Sequence, residues 1–185
     1  MAQTIKINNK SISYTVEHRK VKHPRIELKT GKLVVVAPMG FKNTDELINK
    51  HSGWVIRKSL EMKEAGLNGS RKKLKNRTRA AFEKQVLRLV VYYSGKLNCT
   101  VKNVFFRQLN SKWGSCSSLG NITINSRLSM LPDRLIRYVV HHEVLHRKVK
   151  NHRDEFFHYV KSEFNNYKGI EKELLEYWFA VNSAA

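Results

Sequence analysis

The chain has 185 residues, and its 35 Lys and Arg against 15 Asp and Glu give a net charge of +20 with neutral histidines. Its 41% hydrophobic and 27% charged residues are typical of a folded globular protein of one domain or two small ones, and exclude a largely disordered chain. No apolar run is long enough to span a bilayer, and the first thirty residues lack a signal-peptide pattern. We therefore expect a cytoplasmic protein with no membrane association.

Alternation of apolar and polar side chains predicts four short strands in the first forty residues, at 5–7, 12–16, 26–28 and 33–36. Turns are predicted at Asn8-Asn9-Lys10 and at Lys29-Thr30-Gly31-Lys32, because Asn and Gly tolerate the positive φ of tight hairpins. We expect these strands to form an antiparallel sheet.

Helical periodicity follows over residues 44–64, where Asn43 is a candidate N-cap, and returns over 80–93 with Gly95 as a stop. Between these helices lies a run with six basic residues in nine, at 71–79, which is either a linker or the start of the second helix. We place the main boundary here, with a β-rich region and helix at 1–70 and a second region at 71–185.

The second region continues with two strand-like segments, 100–108 and 121–128, which we expect to form a hairpin with an elaborated connection. Pro132 and Asp133 suit the first turn of a helix over 132–150. Two further helices are predicted at 152–167 and 170–181, separated by Gly169.

The predicted helix at 132–150 contains His142-Glu143-Val144-Leu145-His146, a His-Glu-x-x-His sequence. Side chains four residues apart share one face of a helix, so both imidazoles can bind one Zn²⁺ ion. Glu143 lies further round the helix, where it can act as a general base without binding the metal. Composition alone would produce roughly 0.02 such sequences in a chain of this length.

A catalytic zinc ion needs a third protein ligand and an open position for water. His152 is the preferred candidate, because Asn151 can adopt the left-handed conformation that turns the chain back after a helix. The alternatives on the next predicted helix are Asp154, Glu155, His158 and Glu163.

The segment from Trp113-Gly114-Ser115-Cys116 to the histidine motif and His152 resembles the YgjP-like family of zinc metallopeptidases, relatives of the SprT and WLM group. Weaker similarity covers the N-terminal half, including the residues around Trp54. The resemblance implies zinc ligands His142, His146 and His152 and a catalytic Glu143. It also implies an α+β fold with a zincin-like second half, in which a small sheet accompanies the active-site helix.

Several residues allow other interpretations. His141 is interpreted as a core or supporting histidine, and Arg107, Lys112 and Tyr159 are each equally consistent with oxyanion stabilisation and with simple solvation. Cys116 is an alternative nucleophile or a fourth zinc ligand that would close the site. The strand at 121–128 is a candidate edge for pairing with an extended peptide, so that proline in place of Ile124 would abolish cleavage.

These observations predict a zinc metallopeptidase that cleaves polypeptides by Glu143-assisted attack of zinc-bound water. The run at 71–79 is either a solvated connection or a non-specific contact to DNA or RNA phosphates, which would recruit the enzyme to nucleic-acid-bound proteins. The alternative is a nucleic-acid-binding protein with a structural zinc site. The sequence gives no indication of oligomeric state.

Overall fold

The computed structural model describes residues 2–29 and 32–183, which fall into two compact units, Met1–Ser70 and Arg71–Ala185. Across those residues, no helix combines the length and the apolar character needed to cross a membrane. The described helices and two small sheets confirm the predicted α+β class.

The first unit contains a four-stranded sheet and two helices. The predicted turn at Asn8 and Asn9 is confirmed by their φ angles of 47° and 61°, whereas Thr30 and Gly31 of the second predicted turn lie outside the described residues. The helix predicted over 44–64 is divided at His51 into two. The elements are β1 (Ala2–Ile7), β2 (Lys10–His18), β3 (Arg25–Lys29), β4 (Lys32–Ala37), α1 (Thr44–Lys50) and α2 (Ser52–Gly69).

The first sheet is mixed, so the expectation of a wholly antiparallel sheet was wrong in one pair. The strand order is β1-β2-β4-β3, and β4 is parallel to β2 but antiparallel to β3. Residues 33–37 of β4 are all buried, as suits a central strand. After β2 the chain first forms the edge strand β3, and then turns back to form β4 between β3 and β2.

The second unit places a long helix, a three-stranded sheet and three further helices around one core. Its elements are α3 (Arg79–Leu97), β5 (Asn103–Arg107), β6 (Gly114–Cys116), β7 (Asn121–Asn125), a 3₁₀ helix (Ser126–Met130), α4 (Asp133–Leu145), α5 (Asp154–Glu163) and α6 (Tyr167–Ser183). Helix α3 extends beyond Gly95 to Leu97, and Asn98, whose φ is 49°, is its C-cap. Gly169 lies inside α6 and separates no helices.

The second sheet has the order β5-β7-β6, and the predicted hairpin between its first two segments was wrong. Strand β5 is parallel to β7, because the connection between them contributes β6, which pairs antiparallel on the other side of β7. Strand β7 is therefore central, and Ile122 and Ile124 are fully buried.

The basic run at 71–79 is mainly an extended connection, and only Arg79 belongs to α3. Lys72 forms an ion pair with Glu176 at 2.7 Å, and Arg77 forms one with Asp133 at 2.6 Å. Arg77 also donates to the carbonyl oxygens of Ser129 and Leu131. Two of the six basic side chains thus bind the connection to its own unit, while the Arg71, Lys73 and Lys75 side chains are exposed.

Asn125, at the end of β7, holds the connection that leads into β6. Its buried side-chain amide donates to the carbonyl oxygens of Leu109 at 2.8 Å and Lys112 at 2.9 Å, and its Oδ1 accepts from the backbone of Arg127 at 3.1 Å. Its backbone N–H donates to Trp113 at 2.8 Å. One side chain therefore fixes where the chain enters β6.

We expect Asn125→Ala to lower the free energy of unfolding by about 2–4 kcal/mol, because two carbonyl groups lose buried hydrogen bonds. Urea denaturation followed by circular dichroism measures the change. Asn103→Ala is the matched control, since its exposed amide contacts only Asn121 in this sheet, and a change within about 0.5 kcal/mol is expected. Equal stability losses in the two variants would contradict the role given to Asn125.

Candidate metal centre

Three histidine rings lie together beside the C-terminal end of α4. The ring centroids of His142, His146 and His152 are 5.0, 4.9 and 4.7 Å apart, and their candidate ligand atoms all lie within 4.8 Å of one another. Within 2–29 and 32–183, these residues form the one cluster of three or more histidine, cysteine or acidic side chains that could hold a metal ion.

The end of α4 brings the third histidine back to the other two. The helix ends at Leu145, five residues before the predicted end at 150. The N–H of Val149 donates a hydrogen bond to the carbonyl of Leu145 at 2.8 Å. The helix was predicted too long because Val149, which is buried, continues the apolar periodicity of α4 beyond its end. Because the chain turns here, His152 reaches His142, with 2.9 Å between their Nε2 atoms.

The donor set fits a zinc ion. The Nδ1–H of His146 donates to the carbonyl of Val149 at 3.3 Å, which leaves Nε2 free to bind a metal. Burial, with added repulsion from the neighbouring histidines, lowers the pKa of His142 to about 3, so this imidazole is neutral at pH 7 as a metal ligand must be. Nitrogens bound tetrahedrally to one zinc ion are about 3.4 Å apart, a spacing that the cluster can reach through small side-chain movements.

Phe156 forms an apolar backing for the three imidazoles. It is fully buried at the start of α5, and its ring centroid is 4.9 Å from those of His142 and His146 and 4.5 Å from that of His152. An apolar neighbour of this kind limits the access of water to the site from the side on which Phe156 packs.

Glu143 lies against the backbone of β6. A Cβ atom built on Gly114 would be 2.7 Å from Cγ and 2.8 Å from Oε1 of Glu143, so the glutamate occupies the space that any larger residue would need. Burial raises the pKa of Glu143 to about 7, and the positive charge of Lys112 opposes that rise. The carboxyl group is thus poised to exchange a proton near neutral pH.

Two neighbouring cavities, which together we call the cleft, meet at Glu143. Lys112, Gly114, His142 and Glu143 border both of them. The larger, of about 470 Å³, continues along Ser115–Ser118 to Arg147, Lys150 and the other two histidines. The smaller, of about 350 Å³, is completed by Trp113, Tyr138, Val139, Glu171 and Leu174, so α6 contributes to a cleft wall as well as to the core.

The other candidate ligands and bases occupy different environments. Asp154, Glu155, His158 and Glu163 are outside the histidine cluster, and Glu163 instead accepts a hydrogen bond from Tyr93. His141 is buried edge-on against Tyr93 and Phe164, as expected for a core histidine.

Cys116 borders the cleft but is not part of the cluster of candidate metal ligands. Burial raises the pKa of its thiol, which disfavours a nucleophilic thiolate. Of the three side chains considered for oxyanion stabilisation, only Lys112 borders the cleft, since Arg107 and Tyr159 do not.

Comparisons with known proteins find a matching family model and similar solved structures. The family model described as YgjP-like, metallopeptidase domain, matches residues 63–177. The fold is similar to the metallopeptidase zymogen of Pyrococcus abyssi abylysin, at 24% identity and a TM-score of 0.45 over 49% of this chain and 91% of that chain. It is also similar to the zymogen of Methanocaldococcus jannaschii jannalysin, at 21% identity and a TM-score of 0.47 over 55% and 92%. No curated protein matches the chain.

We expect His142→Ala, His146→Ala and His152→Ala each to weaken zinc binding by more than about 100-fold, since each would remove one of three ligands. Competition with a chromophoric chelator measures the affinity. The control is His158→Ala, on exposed α5 surface, which should bind roughly one zinc ion per chain with unchanged affinity. Full affinity in His152→Ala would show that the third ligand is another residue.

Proposed function

The chain belongs to the family of YgjP-like metallopeptidase domains, and on this premise we propose that it is a zinc metallopeptidase with Glu143 as its catalytic residue. His142, His146 and His152 hold the ion. The observation that carries the proposal is that the three imidazoles and the Glu143 carboxyl group line the same cleft. A structural zinc site would instead be closed by a fourth protein ligand.

Glu143 moves the proton in the proposed reaction. Zinc, when bound, supplies a Lewis acid that polarises the peptide carbonyl and lowers the pKa of water. The Glu143 carboxylate accepts a proton from the attacking water and later delivers it to the leaving amine nitrogen. A pKa raised towards 7 by burial suits both transfers, and Gly114 leaves the room in which the carboxyl group lies.

Strand β6 is the edge that can hold an extended substrate. The expectation that residues 121–128 form this edge was wrong, because β7 is paired on both sides and proline at Ile124 would break the sheet itself. The backbone hydrogen bonds from the N–H of Asn125 to the carbonyl of Trp113 and from the N–H of Ser117 to the carbonyl of Asn121 show which residues of this segment face β7. Residues 113, 115 and 117 direct their backbone groups towards β7. The N–H and C=O groups of Gly114 and Cys116 therefore point away from β7, where a peptide can pair with them.

We also propose that the enzyme is recruited to proteins that are bound to DNA or RNA. This part of the proposal is supported by Arg71, Lys73 and Lys75, whose exposed side chains make no carboxylate ion pair within the part of the chain that the structure describes. Three such cations would contact phosphates without reading sequence. An affinity for DNA or RNA that does not fall with added salt would contradict this contact.

We expect Glu143→Gln to retain zinc and to lower kcat for peptide hydrolysis by about a thousandfold or more, because the amide cannot accept the proton. The measurement uses a mixture of quenched fluorescent peptides with the zinc-loaded protein. Glu155→Gln, on exposed α5 surface, is the control and should cleave at the wild-type rate. Undiminished hydrolysis by Glu143→Gln would refute the catalytic assignment.

We expect Cys116→Pro to lower kcat/KM by about tenfold or more, because it removes an N–H group at the open edge of β6. That N–H does not bond to β7, so the sheet and the zinc content should persist. Cys116→Ala keeps the N–H group and should retain most activity, which also tests the thiol as a nucleophile. Equal activity in the proline and alanine variants would remove β6 from substrate binding.

A further inference from the structure

The two halves of the cleft differ in charge. Arg147 and Lys150 border only the larger cavity, and Lys112 lies where the two cavities meet. None of these three cations forms a carboxylate ion pair among residues 2–29 and 32–183. Beyond Glu143 itself, no acidic side chain borders the larger cavity. This half of the cleft is therefore suited to a negatively charged group.

Arg147 is held in place by neutral partners. Its guanidinium donates from Nε to the carbonyl of Thr100 at 3.0 Å and from Nη1 to that of Ser118 at 3.5 Å. Gly120, whose φ is 88°, allows this approach, because a Cβ there would lie 3.0 Å from the Arg147 Cζ atom. The Arg147 charge is therefore fixed at the wall of the cleft without being neutralised. Such a fixed guanidinium is better suited to bind an anion than a flexible surface lysine is.

The smaller cavity has an apolar wall. Trp113, Val139 and Leu174 contribute to it, and the Trp113 indole N–H is already used by the carbonyl of Leu174 at 3.3 Å. Tyr138 likewise donates its hydroxyl to Glu171 at 2.7 Å. The Trp113 and Tyr138 donors thus already have acceptors, and the Trp113, Val139 and Leu174 surface suits an apolar side chain.

The direction of β6 relates these halves to the scissile bond. A peptide that pairs antiparallel to β6 runs from the Cys116 end towards the Gly114 end. Its residues before the scissile bond then lie beside Ser115–Ser118 and the larger cavity, and those after it lie beside Trp113 and the smaller cavity. Antiparallel pairing is the slightly more stable arrangement per residue.

We propose that the cleft selects peptides with an acidic side chain N-terminal to the scissile bond and an apolar side chain directly C-terminal to it. Arg147 and Lys150 are the residues that determine the acidic preference. This inference rests on the proposed peptidase function and names its substrate class.

The test compares quenched fluorescent peptides that differ only by Glu or Gln before a single Leu, with a second pair that carries Glu or Gln after it. Mass spectrometry identifies the cleaved bond. Wild type should cleave before Leu, with kcat/KM about tenfold higher for the peptide with Glu before it. In Lys150→Glu and in Arg147→Gln that preference should fall to about threefold or less.

Lys148→Glu is the matched control, because Lys148 is exposed in the same connection but donates to Leu97 and lies 4.8 Å from the Tyr159 ring centroid. It should keep the wild-type preference. Equal rates for Glu and Gln peptides, or a preference for Glu after the cleaved bond, would overturn the proposed specificity while leaving the peptidase function intact.

Absence of any cleavage by zinc-loaded wild type would instead overturn the peptidase function. The acidic preference is then decided by fluorescence anisotropy with the zinc-loaded Glu143→Gln protein. Tighter binding of the peptide with Glu before Leu, lost in Glu143→Gln/Lys150→Glu, supports the charge assignment, and equal affinities overturn it.

Discussion

The contact between Glu143 and the backbone of Gly114 is the constraint on which the site depends. Helix α4 is buried along most of its length, and a carboxyl group there is costly unless the structure gives it a specific place. Strand β6 provides that place by presenting a residue without a side chain at the point of closest approach. The same approach puts the open edge of β6 beside the histidines, so the cleft and the proposed catalytic carboxyl group arise from one packing arrangement. Asn125 supports it by fixing the chain that enters β6.

The sequence could predict the parts of the site that depend on local geometry. His142, Glu143 and His146 share little more than one helical turn, so their relation follows from helix periodicity alone. His152 was predicted as the third ligand because it lies only a short distance along the chain from His146. The helix itself ends earlier than its apolar pattern indicated. Gly114 and Asn125 had no comparable signal. Their roles arise where distant segments meet, and no spacing in the sequence encodes such a meeting.

Strand pairing could not be predicted for a related reason. The alternation of apolar residues in β2, β5 and β7 identifies strands but is the same for parallel and antiparallel neighbours. Pairing direction depends on how the intervening chain travels, as when β6 is inserted between β5 and β7 in sequence but outside β7 in space. The candidate edge for pairing with a peptide depended on this detail, and sequence reasoning therefore placed it on β7, which is paired on both sides.

Burial acts on the two kinds of titratable group in the site in opposite directions, and the result favours binding of a cation. It lowers the pKa of His142 and raises that of Glu143, so the protein without a metal carries little charge along this part of α4. A cation held by the three imidazoles would favour the ionised form of the neighbouring carboxyl group and would offset part of its burial. Metal binding and ionisation of the proposed general base would thus be coupled through the same low-dielectric environment. Lys112 acts on Glu143 in the same sense, because its positive charge lowers the pKa that burial raises. In the proposed reaction, positive charge near this site would therefore favour the ionised general base as well as attract an acidic substrate.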